Sequence, residues 1–459
     1  MQTLGTLTSL MNIAQGALDA NTAVLGTTGQ NVANVSTPGY AREVPVLETA
    51  PDNSGVDVQS VQRVVDQYAE AAVVTETGNE GAANARSDAL TQTQSTVAPG
   101  TGMNISDQVS AFYSAMTTVS QDPSDPSARG AAVSAATQVA TSISSTAGQL
   151  TSQRASLLSQ AQGVAGTVNQ DLTTIASLNQ QIAQGNALGQ DTSALQDQRD
   201  SAIEDVGSNI NVSAIPDKTG AVTLLSSGTT LVEGNDASSL SVGLDSSGNL
   251  SITAQEPGGT PNDITQNVTS GALGGIREAR DVDIPAVSSQ LDQFAYDFEN
   301  NVNSIQEAGY GLDGATGRPL FTPPTAVQGA AFAMSVNPTV ANDPSELAAS
   351  GSAADLPGGN DAALAMAALA SQPQGTASSP AAAFGALTET IGTSLSAANA
   401  EVTLRQNTVA QATNLRDSVS GVSLNDEMVN LTRYQQSYQA SVQVLQTADS
   451  LLEGLMQDL

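Results

Sequence analysis

Leu424-Asn-Asp-Glu-Met-Val-Asn-Leu431-Thr-Arg433-Tyr434-Gln435-Gln-Ser-Tyr438-Gln-Ala-Ser-Val-Gln-Val-Leu445-Gln-Thr-Ala-Asp-Ser-Leu-Leu452 lies close to the end of the chain. In it Leu424, Leu431, Tyr438, Leu445 and Leu452 recur at every seventh position, and Leu459 continues the series. A seven-residue apolar repeat keeps one face of a helix turned toward a partner helix. The stretch contains neither Pro nor Gly, so it predicts one uninterrupted helix starting just after Gly421. At ~1.5 Å per residue that helix is roughly 55 Å long, more than a small domain core requires. Near the other end, Leu4, Met11, Leu18, Leu25 and Val32 repeat the same period, backed by Leu7 and Ala14. Two such seams can pair with each other or with neighbouring copies. The pattern points to an assembly protein, with the rest of the chain carried between the two ends.

Composition narrows the function. The 459 residues contain no Cys, no His and no Trp. Ser–His–Asp triads, Cys–His pairs and the common zinc sites are therefore excluded. Lys218 stands alone among twelve Arg, in the turn-like Pro216-Asp-Lys-Thr-Gly220. There is no G-x-S-x-G elbow, no Walker-type Gly-Lys-Ser/Thr and no G-x-G-x-x-G. Carboxylate-only catalysis stays open on composition, but the expectation is a protein that is not an enzyme, with no cofactor and no metal. Asp313-Gly-Ala-Thr-Gly317 has too few spaced acids for a calcium loop and reads as a turn. The net charge of −32 repels phosphate backbones and anionic membranes, so no nucleic-acid partner is expected. No apolar run reaches the ~18 residues of a membrane span. Met1-Gln-Thr-Leu-Gly5 lacks the basic start and apolar core of a cleavable signal peptide. An extracellular role requires another export route.

Periodicity divides the interior. A helix over 1 to about 36 carries Gly5, Gly16, Gly26 and Gly29, each costing about 1 kcal/mol relative to Ala. It is therefore weak alone and expected to form when packed. Thr37-Pro-Gly-Tyr40 stops it, and 41–58 reads as extended around a turn at Pro51–Gly55. A helix is predicted from near Val58, with Val61, Val64, Val65, Tyr68 and Ala72 on one face. Helices follow to about 206. Period two with Gly/Asn turns marks 207–272 as a β-rich insertion. Helix returns at 273–308. Residues 309–360 are irregular, with a strand expected at Phe332–Val336. Helices are expected again over 361–370 and from 381 to about 418.

The resulting fold class is mainly α with a β-rich insertion. The domain reading is nested: terminal helices from 1–57 and 421–459; a helical bundle from 58–206, 273–310 and 361–420; the insertion at 207–272; and an irregular Gly/Pro-rich segment, 311–360, packed near the bundle or the insertion.

One segment carries more than periodicity. Asn31-Val-Ala-Asn34-Val-Ser-Thr37-Pro38-Gly39-Tyr40-Ala-Arg42 places Asn on the closing turns of a helix, forces a sharp exit with Pro-Gly, and supplies a Tyr to pack back. It resembles the N-terminal signature of the bacterial flagellar axial proteins. The C-terminal stretch, with Arg433, Tyr434 and Gln435 at its heart, is similar to the terminal helix of the hook-associated protein 1 family. Leu195-Gln-Asp197-Gln-Arg199-Asp200, Leu273-Gly-Gly-Ile-Arg-Glu-Ala-Arg280-Asp281-Val-Asp283-Ile-Pro285 and Asn303…Tyr310 also resemble that family's pattern. The resemblance covers most of the chain in order and is weakest at 206–272 and 311–400, where the chain looks shorter than many relatives.

The resemblance implies terminal helices that pair as a coiled-coil-like inner domain lining the axial tube, a lateral helical domain, and an outward β-rich domain. It implies self-association into a short ring between the hook and the filament. Its neighbours there are the hook protein and the second hook–filament junction protein. It also implies type III export, with a cytoplasmic chaperone on the C-terminal region. The alternatives are the hook protein itself, or another type III-exported coiled-coil assembly protein such as an adhesin or translocator.

Overall fold

The computed structural model describes residues 2–50, 55–99 and 104–457, with side chains from residue 5 to residue 454. Leu4 and Leu459 of the two series, and residues 51–54 of the expected turn, lie outside the described residues or side chains.

Helix α1, Gln2–Ala33, leads into a hairpin of β1, Glu43–Thr49, and β2, Val56–Arg63. A helical region follows: α2, Gln67–Val97; α3, Ile105–Gln121; α4, Pro126–Ala187; and α5, Ser193–Asn209. The expected helix start near Val58 is wrong. Val58 and Val61 lie in a strand that runs to Arg63, Val64 and Val65 lie in the link after it, and the helix begins only where Asp66 caps it, its Oδ1 accepting from the amides of Tyr68 at 2.8 Å and Ala69 at 3.4 Å. Tyr68, assigned to the buried face, is 89% exposed. β2 runs through residue 57 without a break.

The 62 residues of α4 make a rod of roughly 93 Å. Asp125 caps it and Pro126 occupies its first turn, where no amide is lost. Its first half belongs to the helical core. Its second half carries the insertion, built from two antiparallel sheets. One contains β3, Ser213–Pro216; β4, Val222–Ser226; β5, Thr229–Glu233; and β6, Asp236–Ala237. The other contains β7, Ser239–Leu244; β8, Leu250–Gln255; and β9, Asn262–Asp263. Ser227 and Gly228, both at positive φ, make the two-residue turn between β4 and β5. Two asparagines of α4 clasp the sheets. Asn179 exchanges two hydrogen bonds with the backbone of Val222 (2.8 and 3.0 Å), and Asn169 does the same with Leu240 (2.9 and 2.6 Å).

The chain returns through α6, Gly271–Glu278, a π-helical turn over Ala279–Asp283, and α7, Ile284–Ala308. Two short helices follow, α8, Ala330–Ala333, and α9, Pro338–Asn342. The strand expected at Phe332–Val336 is absent. Phe332 lies in α8, 65% exposed, and Val336 makes one isolated bridge to Phe321. Segment 311–360 folds onto α7 through Asn303 and Gln306, which bond the backbone of Phe321, Glu346 and Ala348. Then come α10, Asp361–Ala368, and α11, Pro380–Ser420, which runs along α2. The last helix is α12, Leu424–Gln457, and it packs along α1.

Aromatic residues are scarce and concentrated. Five of the six Phe, with Tyr113, form one cluster joining α3, α7, α11 and Phe321, with ring centroids 5.3–6.3 Å apart. Among the described residues the architecture is thus mainly α, with three small antiparallel sheets and a terminal helix pair at one end.

Candidate assembly site

The terminal pair is joined to the bundle at the exit of α1. Asn31, 2% exposed, organises that exit. Its Nδ2 donates to the Glu43 carbonyl (2.9 Å) and to Glu427 Oε1 (3.3 Å); its Oδ1 accepts from the Tyr40 hydroxyl (2.9 Å) and the Glu43 amide (3.0 Å). One side chain therefore holds α1, the hairpin and α12 together, with every capacity of its amide in use. The backward turn that brings Tyr40 home is made by Asn34, Thr37, Pro38 and Gly39. Asn34 Oδ1 accepts from Thr37 Oγ1 (3.2 Å), and Gly39 sits at φ +76°, a conformation that favours glycine. The Arg42 amide then donates to Ser420 at the end of α11 (2.7 Å).

Burial raises the Tyr40 phenol well above its ordinary pKa, with Glu43 adding to the effect. Burial also raises Glu43, helped by Asp191 and Asp197. Beside this knot, Arg63 of β2 pairs with Asp197 (2.7 Å) and Asp200 (2.9 Å) of α5. One turn before Ser420 on α11, Arg416 reaches Glu204 (3.6 Å) and Asp417 (3.1 Å). The terminal pair is therefore fastened to the bundle by polar groups that bond at fixed geometry.

α1 ends and α12 begins at the Asn31–Glu427 contact, so the two helices run antiparallel. The seam residues are not at the centre of the pair. Met11, Leu18, Leu25, Val32, Leu431, Leu445 and Leu452 are half-buried, while Leu424 and Tyr438 are 47% and 39% exposed. The deepest line lies three residues along: Ala14, Asn21 and Thr28 on α1, and Glu427 and Ala448 on α12 with half-buried Tyr434 and Ser441 between them. That line is small or polar, and apart from buried Val24 the larger apolar side chains described on the two helices are covered only in part. Met428, Val429, Val444 and Leu451 also stay 41–66% exposed.

Among the motif residues, the fold gathers Asn31, Asn34, Gly39, Tyr40 and Arg42 at the exit, with Pro38 exposed beside them. Arg433 and Gln435 are exposed on α12, apart from that exit. Sequence reasoning missed Glu43, Glu427, Ser420 and the Arg63–Asp197 pair. Glu427 could have been found, because an acid in the line interleaved with an apolar seam requires a donor.

The family pattern of the interior has an equally specific placement. Gly275 lets α6 lie against α2, for a Cβ there would fall 2.1 Å from the Ala82 carbonyl oxygen. The π-helical turn aims Asp283 at Arg86, which grips it with Nε and Nη2 at 2.8 and 2.9 Å. It also aims Asp281 at Arg280, at the Leu250 amide (2.8 Å) and toward Arg154. The insertion is thereby tied to the bundle.

Paired terminal helices, a polar knot at their root and a projecting helical and β-rich body define a class, the flagellar axial proteins. The profile described as "Flagellar hook-associated protein FlgK helical domain" matches residues 90–321, and "Flagellar basal body rod FlgEFG protein C-terminal" matches 416–458. The chain belongs to the family of the flagellar hook-associated protein FlgK, a family of structural flagellar proteins. Flagellar hook-associated protein 1 of Escherichia coli (strain K12) is 24% identical over 98% of this chain and 100% of that protein. The Bacillus subtilis (strain 168) protein of that name is 24% identical over 97% of each. The structure titled as the flagellar hook junction protein FlgK from Burkholderia pseudomallei aligns at 26% identity and a TM-score of 0.50, over 55% of this chain and 46% of that one. Among the described residues no helix is long and apolar enough to cross a membrane.

Proposed function

We propose that this hook–filament junction subunit self-associates through its terminal helices into a short ring, with the hook protein on one side and the second junction protein on the other. The ring is the platform on which the filament begins. The observation that carries this reading is the half-covered apolar seam of α1 and α12: Met11, Leu18, Leu25 and Val32 facing outward in part, with Leu424, Leu431, Tyr438, Leu445 and Leu452 doing the same. Covering a large apolar side chain contributes about 1.5–3 kcal/mol, so neighbours that complete the burial gain several such terms along each helix.

The reading extends to export. The chain leaves the cell through the type III apparatus, and a cytoplasmic chaperone covers the apolar stripe of the C-terminal region until then. A −32 charge keeps free subunits apart before assembly. No nucleic acid and no membrane insertion belong to this route, and the site residues have an architectural role.

Electron microscopy of a strain lacking the gene tests the junction role. The expected result is hooks without filaments, with filament protein in the medium; normal filaments would overturn it. A pull-down with a chain truncated at residue 420 tests the chaperone. Retention by the truncated chain would contradict a C-terminal site.

A further inference from the structure

The terminal helices hold one cation, Arg433 of α12, whose other charged residues are the acids Asp426, Glu427, Asp449 and Glu453; α1 carries one charged residue, Asp19. Asp19 and Arg433 are opposite in sign and both exposed. Neither has an ion-pair partner among the described residues, although eight other arginines of the chain do. Arg433 instead lies against the ring of Tyr434, 5.7 Å from its centroid. That contact holds the guanidinium at the surface and leaves its donors open.

They cannot meet easily within one subunit. Asn31 stands opposite Glu427, and the helices run antiparallel. Asp19 is twelve residues from Asn31, and Arg433 is six from Glu427. The two charges are thus offset by about six residues, roughly 9 Å along the axis. A neighbouring copy displaced by that amount brings Asp19 level with Arg433.

We propose that Asp19 of one copy pairs with Arg433 of the next, fixing the axial register between neighbouring subunits. The inference rests on the self-association proposed above. Single charges flanking an apolar helix seam set partner and register in coiled coils, because a slipped register leaves them unpaired. Two different residues meeting across a head-to-tail contact is the arrangement that builds rings or helical arrays. The chain is otherwise strongly acidic, so copies repel except where a cation meets an acid. Arg433 is a free cation placed on the helix pair itself.

The test is a charge swap in the flagellated cell. Asp19→Lys and Arg433→Glu each reduce the fraction of cells with filaments, while export of the chain and its thermal unfolding as a purified monomer stay unchanged. The doubly swapped chain restores filaments. Since the chain has no cysteine, Asp19→Cys with Arg433→Cys, treated with a short bis-maleimide in isolated hooks, gives covalent multimers. Single variants that assemble like the parent, a double swap that restores nothing, or cross-linked samples that stay monomeric would each overturn the pairing. The copy number of the parent chain per purified hook is measured separately. Several copies without cross-links reject this pair alone; a single copy per hook rejects self-association as well.

Discussion

Asn31 and Glu427 stand 396 positions apart in the chain and 3.3 Å apart in the fold, with Nδ2 donating to Oε1. That bond closes the chain's two ends on one another at the root of the terminal pair. Asn31→Leu would delete all four hydrogen bonds of the amide and strand the Glu427 carboxylate in a buried place. Each buried group left without a partner costs about 1–3 kcal/mol, so the terminal pair should lose roughly 2–5 kcal/mol of local stability. Hydrogen exchange measures it: protection falls in α1 and α12 and persists in α4. Unchanged protection in α1 would contradict the role given to Asn31.

Glu299 of α7 is 1% exposed, and neither carboxylate oxygen has a hydrogen-bond partner. Burial pushes its pKa up to about 8. The folded protein therefore holds a proton that the unfolded chain releases near pH 4.5. The stability this protonated group allows is fully present below pH 4.5 and is lost as pH rises through about 8. The slope in that window is about 1.4 kcal/mol per pH unit at most. Glu299→Gln removes the titration. Urea unfolding at pH 5 and pH 8 should show a smaller difference for the variant than for the parent; equal differences would refute the assignment.

Gly26 and Gly275 sit in helices and should respond oppositely to alanine. A Cβ at Gly26 meets nothing within 4 Å, so Gly26→Ala should stabilise α1 by about 1 kcal/mol through helix propensity. A Cβ at Gly275 would run into the Ala82 backbone, which cannot move without parting α2 from α6. Gly275→Ala should lower the melting temperature well beyond an ordinary surface change, by about 3 kcal/mol or more of stability. Circular dichroism on both variants checks the pair of signs.

Arg129 is buried without an acid. Its Nε donates to the Pro123 carbonyl (2.6 Å), and one Nη donates to the carbonyls of Ser345 (3.3 Å) and Leu347. It binds the start of α4 to the irregular segment after α9. Arg129→Met keeps the stem but loses these bonds, each worth about 1.5–3 kcal/mol when the donor is charged. Limited proteolysis should then cut within 343–349 at concentrations that leave the parent intact.

The legible parts of this fold were those written as period or punctuation. The heptads of α1 and α12, the switch to alternation at Leu240 and Val242, and Pro38-Gly39 all act through local sterics, which a sequence displays directly. The strand over Val56–Arg63 was legible as far as Val58 and not beyond, because valines at short spacing fit a helix face and a strand alike. Asp66, a cap with two amides to serve, was the sign that decided it. The strand expected at Phe332 failed for a different reason: Asp292 of α7 caps α8 from 39 positions away, accepting from the Ala331 amide. Glu43 and Ser420 were invisible for the same cause, since their roles exist only after distant segments meet. The seams showed their period from sequence. Their partial exposure did not show, because it depends on which neighbouring line the antiparallel pair turns inward.

The central claim is that the half-covered seam of the terminal helices builds the junction. It is tested most directly by complementing a deletion strain with the parent chain or with Leu431→Asp or Leu445→Asp, and imaging the hooks by electron microscopy. The account predicts filaments with the parent, and bare hooks with either variant, while variant chain and filament protein both reach the medium. Filaments of normal number on hooks from the Leu431→Asp or Leu445→Asp strains, at normal export of the chain, would contradict it.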